Sequence, residues 1–307
     1  MKIIRAANEL KVKGKKVCLA IGFFDGVHLG HQQIIRQTIS DARQHGAVAV
    51  VLTFDRHPNT IVAPEKVPPL IYSLPQKLRA IESLGADALL LIQFDKKFSE
   101  QTGEEFIRSL ACDFGKIHSI CVGANFVFGH KRSGNVALLK KLGAELNFSV
   151  HGLAAVSLDV EIVSSTRIRE TIRAGNLDAA SQMIGRTYAI SGRVVEGDRL
   201  GRQLGFPTAN LDAANLILPP NGVYSGCTKL KGRFYRVALN IGLRPTVASA
   251  TPQLRVEAHL LDFSGELYGR ELEIEIGEKL RDERKFNSAN ELREQISKDV
   301  LAVKKSA

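Results

Sequence analysis

The chain has 307 residues, 44% of them hydrophobic and 24% charged, with a net charge of +10. That length suits two domains, and the composition is that of a globular protein with material for two cores, not of a disordered or low-complexity chain. No stretch approaches the ~20 apolar residues of a membrane span, Met1–Ala6 lacks signal-peptide organisation and gives way to Lys11, Lys13, Lys15 and Lys16, and the four cysteines have no CxxC spacing, which argues against zinc. A cytoplasmic location is expected. Cys18 and Cys121, in apolar runs, read as buried thiols of a reducing compartment. The positive charge suits a protein that handles several phosphates. It is also the footprint of a nucleic-acid binder, but no run of five basic residues accompanies it, so nucleic acid is the lesser expectation.

The first half alternates between strand and helix patterns. Apolar residues 17–21 predict a short strand, and residues 31–44 a helix with Ile34, Ile35, Thr38, Ile39 and Ala42 on one face. Residues 47–54 are a continuous run of the kind found in a strand buried on both faces. A helix over 74–84, a strand over 88–92, a helix over 102–112, a strand over 117–122 and a helix over 138–146 follow. This order predicts a parallel sheet with helices on both faces. Ligands of such sheets bind beyond the carboxyl ends of the strands, so the loops after Ile21, Phe54, Ile92 and Val122 should line one site.

From about residue 186 the texture changes. Strand patterns at 188–195, 223–229, 234–241, 255–261 and 271–276 alternate with turns rich in Gly, Pro, Asn and Asp. They predict a small antiparallel barrel. A helix over 288–303, capped by Ser288, ends the chain. The boundary is expected near 183–186, giving domains 1–185 and 186–307.

Two segments carry phosphate chemistry. In the first, Gly22 to His31, the residues Gly22, Gly26 and Gly30 allow sharp turns close to an anion. His28 and His31 fall at the start of the predicted helix, where unpaired N–H groups and the helix dipole favour negative charge. Both imidazoles can donate to a triphosphate and stabilise a leaving pyrophosphate; taken alone they also read as two histidines on a turn. Ser164, Ser165 and Thr166 precede a short helix, where they suit a cap or a phosphate contact, and Arg169 adds charge. Phe126 and Phe128 suit either the core or the stacking of a flat ring. In the second segment, Gly197 to Gly205 forms a glycine loop containing Arg199 and Arg202, but not a Walker A motif. Thr208 and Asn210 alternate on extended chain, so their oxygens share a face and suit Mg²⁺. Taken alone, 207–210 also reads as an ordinary turn. Glu257, with His259 and Leu261 on its side of a strand, suits a proton acceptor at a barrel mouth. Alone it also reads as a surface residue on an edge strand.

GFFDGVHLGHQ (22–32) resembles the HxGH signature of nucleotidyltransferases. TFDRHP (53–58), VGANFVFG (122–129) and VSSTRIR (163–169) strengthen the likeness, although Arg56 stands where a proline is expected. GRQLGFPTAN (201–210), PPNGVYSG (219–226), LNIGLRPT (239–246), VEAHLLDF (256–263) and LRDERKF (280–286) resemble, in that order, a riboflavin kinase module. Together they are similar to the bacterial bifunctional riboflavin kinase/FAD synthetase family.

The resemblance implies a Rossmann-like nucleotidyltransferase domain with a parallel sheet, then an antiparallel β-barrel domain with a terminal helix. It implies phosphorylation of riboflavin to FMN by ATP, then transfer of AMP from ATP to FMN, giving FAD and pyrophosphate. It implies that His28 and His31 hold ATP phosphates, with Gly22, Asp25, Gly26, Gly30, His57 and Asn125 contacting the nucleotide. Ser164, Thr166 and Arg169 would hold the triphosphate tail. In the kinase module, Gly197, Gly201, Arg202 and Gly205 would wrap phosphates, Thr208 and Asn210 would hold Mg²⁺-ATP, and Glu257 would be the base. Phe126, Phe128 and Arg284 would contact flavin. The oligomeric state stays open.

Overall fold

A computed structural model of the protein describes residues 1–10, 12, 14–197, 200–246 and 249–305. Lys11, Lys13, Asp198 and Arg199 lie outside the described residues. By internal contacts the chain forms two compact units. One comprises Met1–Pro68 and Leu74–Ser165, the other Pro69–Ser73 and Thr166–Ala307.

The first unit is built on a six-stranded sheet. Its strands are β1 (Lys2–Ile4), β2 (Val17–Ile21), β3 (Val48–Phe54), β4 (Ala88–Ile92), β5 (Ile117–Gly123) and β6 (Ser149–Leu153). The order across the sheet is β1-β4-β3-β2-β5-β6, and every neighbouring pair is parallel. The helices are α1 (Leu29–Gln44), α2 (Leu74–Glu82), α3 (Gly103–Phe114) and α4 (Val136–Leu146). Strand residues alternate between two apolar layers, as the pleat demands. Val17, Leu19 and Ile21 pack with Phe106, Ile107 and Leu110 of α3 and Leu139 and Leu142 of α4. Helix α1 packs against β2, β3 and β5, with Ile34, Ile35, Ile39 and Ala42 buried. Sequence patterning had not marked β1 and β6, which are short or mixed in polarity.

Chain order runs β2, β3, β4 to one side and then returns to place β5 and β6 on the other. The reversal lies between β2 and β5, and such a switch point opens a crevice beyond the strand ends. The loop after β2 is the HxGH segment. The loop after β5 carries Asn125, Phe126 and Phe128. The expectation that these loops share one end of the sheet follows from the parallel pairing.

The longer segment of the second unit starts at Thr166, within helix α5 (Ser165–Arg173), which is followed by α6 (Leu177–Ile184). Strands β7 (Ala189–Val195), β8 (Ala209–Asp212), β9 (Gly222–Leu230), β10 (Arg233–Thr246), β11 (Ser249–Leu260) and β12 (Glu271–Arg281) close into a barrel ordered β7-β8-β11-β10-β9-β12. All pairings are antiparallel. Val237, Leu239, Ile241, Val256, Ala258, Leu260, Leu272, Ile274 and Ile276 fill its interior. Helix α7 (Ala289–Lys305) packs on β9 and β10, and Ser288 Oγ accepts from the Glu291 N–H at 3.2 Å as its cap. The segment 69–73 joins this unit through a parallel bridge of Leu70 to Leu216, with Leu70 N–H donating to Asn215 O and its carbonyl accepting from Ile217 N–H, both at 2.8 Å. Among the described residues no helix is long and apolar enough to cross a membrane. Cys18 and Cys121 are buried free thiols, and burial pushes Cys121 up to about 12.

Candidate active sites

In the first unit, Gly22 to Val27 turns sharply between β2 and α1. Phe24 has φ 55° and Gly26 φ 74°, and the turn stays buried, with Phe24 at 1% exposure. His28 caps α1, its Nδ1 accepting from the His31 N–H at 3.4 Å. That bond leaves the proton of a neutral His28 on Nε2. The two imidazoles stack with centroids 3.5 Å apart and planes 22° from parallel. Two positive rings that close would repel. Burial first, then His28 and the lysine Lys77, hold His31 well below the usual imidazole range. His31 is therefore a neutral donor, and its buried Nδ1 has no hydrogen-bond partner among the described residues. Gly22 lies against the Phe24 ring, too close for a side chain, and a β-carbon at Gly30 would press on the His28 ring.

Other expected residues fall around this turn in different ways. Asp25 is buried in the turn, and its carbonyl accepts from Ser165 Oγ at 3.2 Å. His57 follows β3, edge-on to Phe23 at 4.9 Å, with its Nδ1 accepting from Asn59 N–H. Asn125 is exposed after β5. Phe126 and Phe128 stack on each other at 5.1 Å and are half-buried against the core. Phe128 is wedged against Gly134 and Gly103, at distances that admit no further side chain. Ser164 is half-buried in the first unit, and Thr166 is exposed in the second. Arg169 is buried, and its Nε donates to Pro69 O at 2.7 Å within the second unit.

Lys77 escaped the sequence reading. It lies on α2 at a position where Ala80 and Ile81, three and four residues on, are buried, so a lysine on an apolar stripe was the available signal. Its Nζ donates to Phe54 O at 2.8 Å, Phe23 O at 3.2 Å and Thr53 Oγ1 at 3.3 Å.

In the second unit, a cavity of about 330 Å³ lies on the outer face of the barrel. The segment 200–206, the end of β12 and helix α7 surround it. Strand pairing sets Asn210 opposite Glu257 and Glu257 opposite Asn240, one rung across three strands. Neighbouring positions on such a rung are ~5 Å apart. Thr208, Arg255 and His259 line the same cavity. The face expected for Glu257 and His259 is thus correct, with two corrections. Glu257 opens onto the outer groove rather than the barrel mouth, because the interior is already filled by the alternate residues Val256, Ala258 and Leu260. Leu261 does not share that face: the strand ends at Leu260, and Leu261 is buried beyond it.

The loop is tied to the strand that carries Glu257. His259 Nδ1 lies 2.8 Å from Pro207 O, and its ring meets Phe206 edge-on at 5.6 Å. Gly197 abuts the Asn210 amide, and Gly201 packs on Phe206 O and Thr208, so a side chain at either would enter the cradle. Gly205 has φ 88°, and Arg202 is exposed on the short helix Leu200–Gln203. Arg255 stands 3.7 Å from Glu257. At the far side, Arg281 pairs with the buried Asp299 through its Nη2 at 2.7 Å. Arg284 lies over the Phe286 ring at 4.8 Å and donates to Gln295 at 2.7 Å.

Comparison with known proteins matches both halves. Residues 11–167 fit the family model described as FAD synthetase, and residues 184–307 the one described as riboflavin kinase. The chain belongs to the bifunctional riboflavin kinase/FMN adenylyltransferase family. It is 36% identical over 311 residues to the bifunctional riboflavin kinase/FMN adenylyltransferase of Escherichia coli K12, covering 99% of this chain and 97% of that one. The enzyme of the same description from Buchnera aphidicola subsp. Schizaphis graminum is 35% identical, with 99% and 98% covered. Among solved structures, the macrolide-efflux protein from Streptococcus pneumoniae superposes with a TM-score of 0.80 at 27% identity, over 99% of each chain.

Proposed function

We propose that the protein makes FAD from riboflavin in two ATP-consuming steps run by two separate sets of residues. Residues 186–307 carry the kinase and residues 1–185 the adenylyltransferase. The observation that carries the reading is that one unit holds the rung Asn210–Glu257–Asn240 and the other an HxGH turn at its sheet switch point.

In the first step the riboflavin 5′-hydroxyl oxygen attacks the γ-phosphorus of ATP, and its proton passes to Glu257. The bond from that phosphorus to the bridging oxygen breaks and ADP leaves. Arg255 stands 3.7 Å from the Glu257 carboxylate and helps to fix its place in the groove. The loop 197–205 holds phosphates with backbone N–H groups, and Phe286 and Arg284 offer a ring and a charge to the flavin. The Thr208 hydroxyl and the Asn210 amide oxygen are hard donors, and Gly197 leaves the Asn210 amide room in the cradle. They would suit Mg²⁺, a hard cation that prefers oxygen ligands. When bound, the ion neutralises charge on the transferring phosphoryl group.

In the second step an FMN phosphate oxygen attacks the α-phosphorus of the other ATP. The bond to the β-phosphate bridging oxygen breaks, and pyrophosphate leaves. The nucleophile is already ionised, so the site needs alignment and anion stabilisation rather than a base. His28 and the neutral His31 donate to phosphate oxygens, with Asn125, Ser164, Thr166 and Arg169 assigned to the triphosphate. Asp25, His57 and Phe126 border the nucleotide and flavin, with Phe128 bracing Phe126. The proposed setting is the cytoplasm, which supplies ATP and keeps Cys18 and Cys121 reduced.

A chromatographic time course with riboflavin, ATP and Mg²⁺ tests the reading. FMN should rise first and FAD follow. FMN accumulating with ATP in excess, and no FAD, would leave only the kinase.

A further inference from the structure

The Phe23–Phe24 peptide sits in an unusual state. Its carbonyl accepts from both Thr53 Oγ1 at 2.9 Å and Lys77 Nζ at 3.2 Å. Across a trans peptide the following N–H points the opposite way, so the Phe24 N–H faces away from Lys77. Phe24 is 1% exposed. Flanking N–H groups are used, Gly22 donating to Leu52 O and Val27 to Phe24 O, yet the Phe24 N–H has no acceptor among the described residues. A buried, unpaired backbone N–H is rare in folded chains and asks for a ligand. Its residue is held in the left-handed region at φ 55°, a conformation costly for phenylalanine that persists only where the surroundings impose it.

We propose that Lys77 is a positioning residue that locks the Phe23–Phe24 peptide so that the Phe24 N–H is presented to a phosphate oxygen of ATP. The ammonium acts from behind the turn. It lies 4.3 Å over the Phe23 ring, bonded to two carbonyls and one hydroxyl, and never reaches the nucleotide. Thr53 is the second half of the clamp. The titratable groups around Lys77 are Asp25 from the turn, Asp55 at the end of β3 (itself paired with Arg56 at 3.0 Å), and the neutral His31 of α1. Burial lowers Lys77 to about 8, against the pull of Asp25 and Asp55. The ammonium is therefore charged below that pH and lost above it. The inference rests on the adenylyl-transfer reading of this turn.

The test uses full-length protein supplied with FMN, ATP and Mg²⁺. Lys77→Met should lower kcat for FAD formation about 100-fold, the loss typical of one anion-stabilising donor, with KM for ATP changed less than about threefold. Riboflavin phosphorylation by the same preparation should be unchanged. The wild-type rate of FAD formation should fall as pH rises through about 8, and the low rate of Lys77→Met should lack that limb. A variant kcat within about threefold of wild type, or a flat wild-type profile from about pH 7 to about 9.5, overturns the proposal. Should Lys77→Met fail to fold, Thr53→Val removes the other donor to the same carbonyl at nearly constant volume. Its kcat should drop about fivefold, and an unchanged kcat also overturns the proposal. Wild-type protein that makes no FAD from FMN at all would remove the adenylyl-transfer reading itself.

Discussion

Gly197→Ala isolates the geometry of the kinase cradle. A β-carbon at 197 would lie 2.6 Å from Asn210 Cγ and 2.9 Å from its Oδ1. No backbone strain accompanies it, because Gly197 is not among the glycines with positive φ. The clash falls on the far end of a side chain, so the protein relieves it by moving the Asn210 amide about 1 Å rather than by unfolding. That amide shares a rung with Glu257 and is assigned to the metal. A displacement of that size at a reacting centre costs on the order of 100-fold, or about 2.7 kcal/mol of transition-state stabilisation. The thermal midpoint should shift by no more than a few degrees. Steady-state kinetics of FMN formation, with FMN-to-FAD conversion as the internal control, supply the assay. A variant that phosphorylates riboflavin at the wild-type rate would refute the reasoning, as would equal loss of both steps.

Glu257→Gln should lower FMN formation by about 10²–10⁴-fold, the usual worth of a general base, while FMN supplied directly still becomes FAD. His31→Ala should do the reverse, with FAD formation lost and FMN formation intact. Arg281→Met strands the buried carboxylate of Asp299 and should cost about 3–5 kcal/mol in a denaturant melt. A cost near zero would mean that solvent reaches Asp299.

Both layers of the parallel sheet were legible because its strands are apolar runs separated by helical periods. The barrel strands were legible because their alternation matches one buried face, as in Glu271–Ile276. What sequence could not reach was long-range placement. The Leu70–Leu216 bridge joins residues far apart in the chain, and no local pattern announces it. Asn240 looks like any polar residue of a half-exposed strand until the register sets it beside Glu257. The barrel-mouth reading of Glu257 failed for a related reason. Alternation says that two faces differ, but closure of the sheet decides which face is inside. Lys77 was hidden because a lysine in a helix normally reaches solvent. Here three oxygens at the ends of β2 and β3 hold it in.

The two sites differ in the way their reactions require. A primary alcohol must lose a proton as it attacks phosphorus, and the barrel groove supplies a half-exposed carboxylate with a cation 3.7 Å away. A phosphate monoester at neutral pH has no such proton to lose. The turn after β2 accordingly offers donors: a helix start, two stacked imidazoles, and a buried N–H with no acceptor among the described residues. A carboxylate aimed at the nucleotide there would repel the polyanion it had to bind. Asp25, the acid of that turn, is buried within it and lies close enough to Lys77 to stabilise the ammonium. Its charge is spent inside the protein, behind the donors rather than among them.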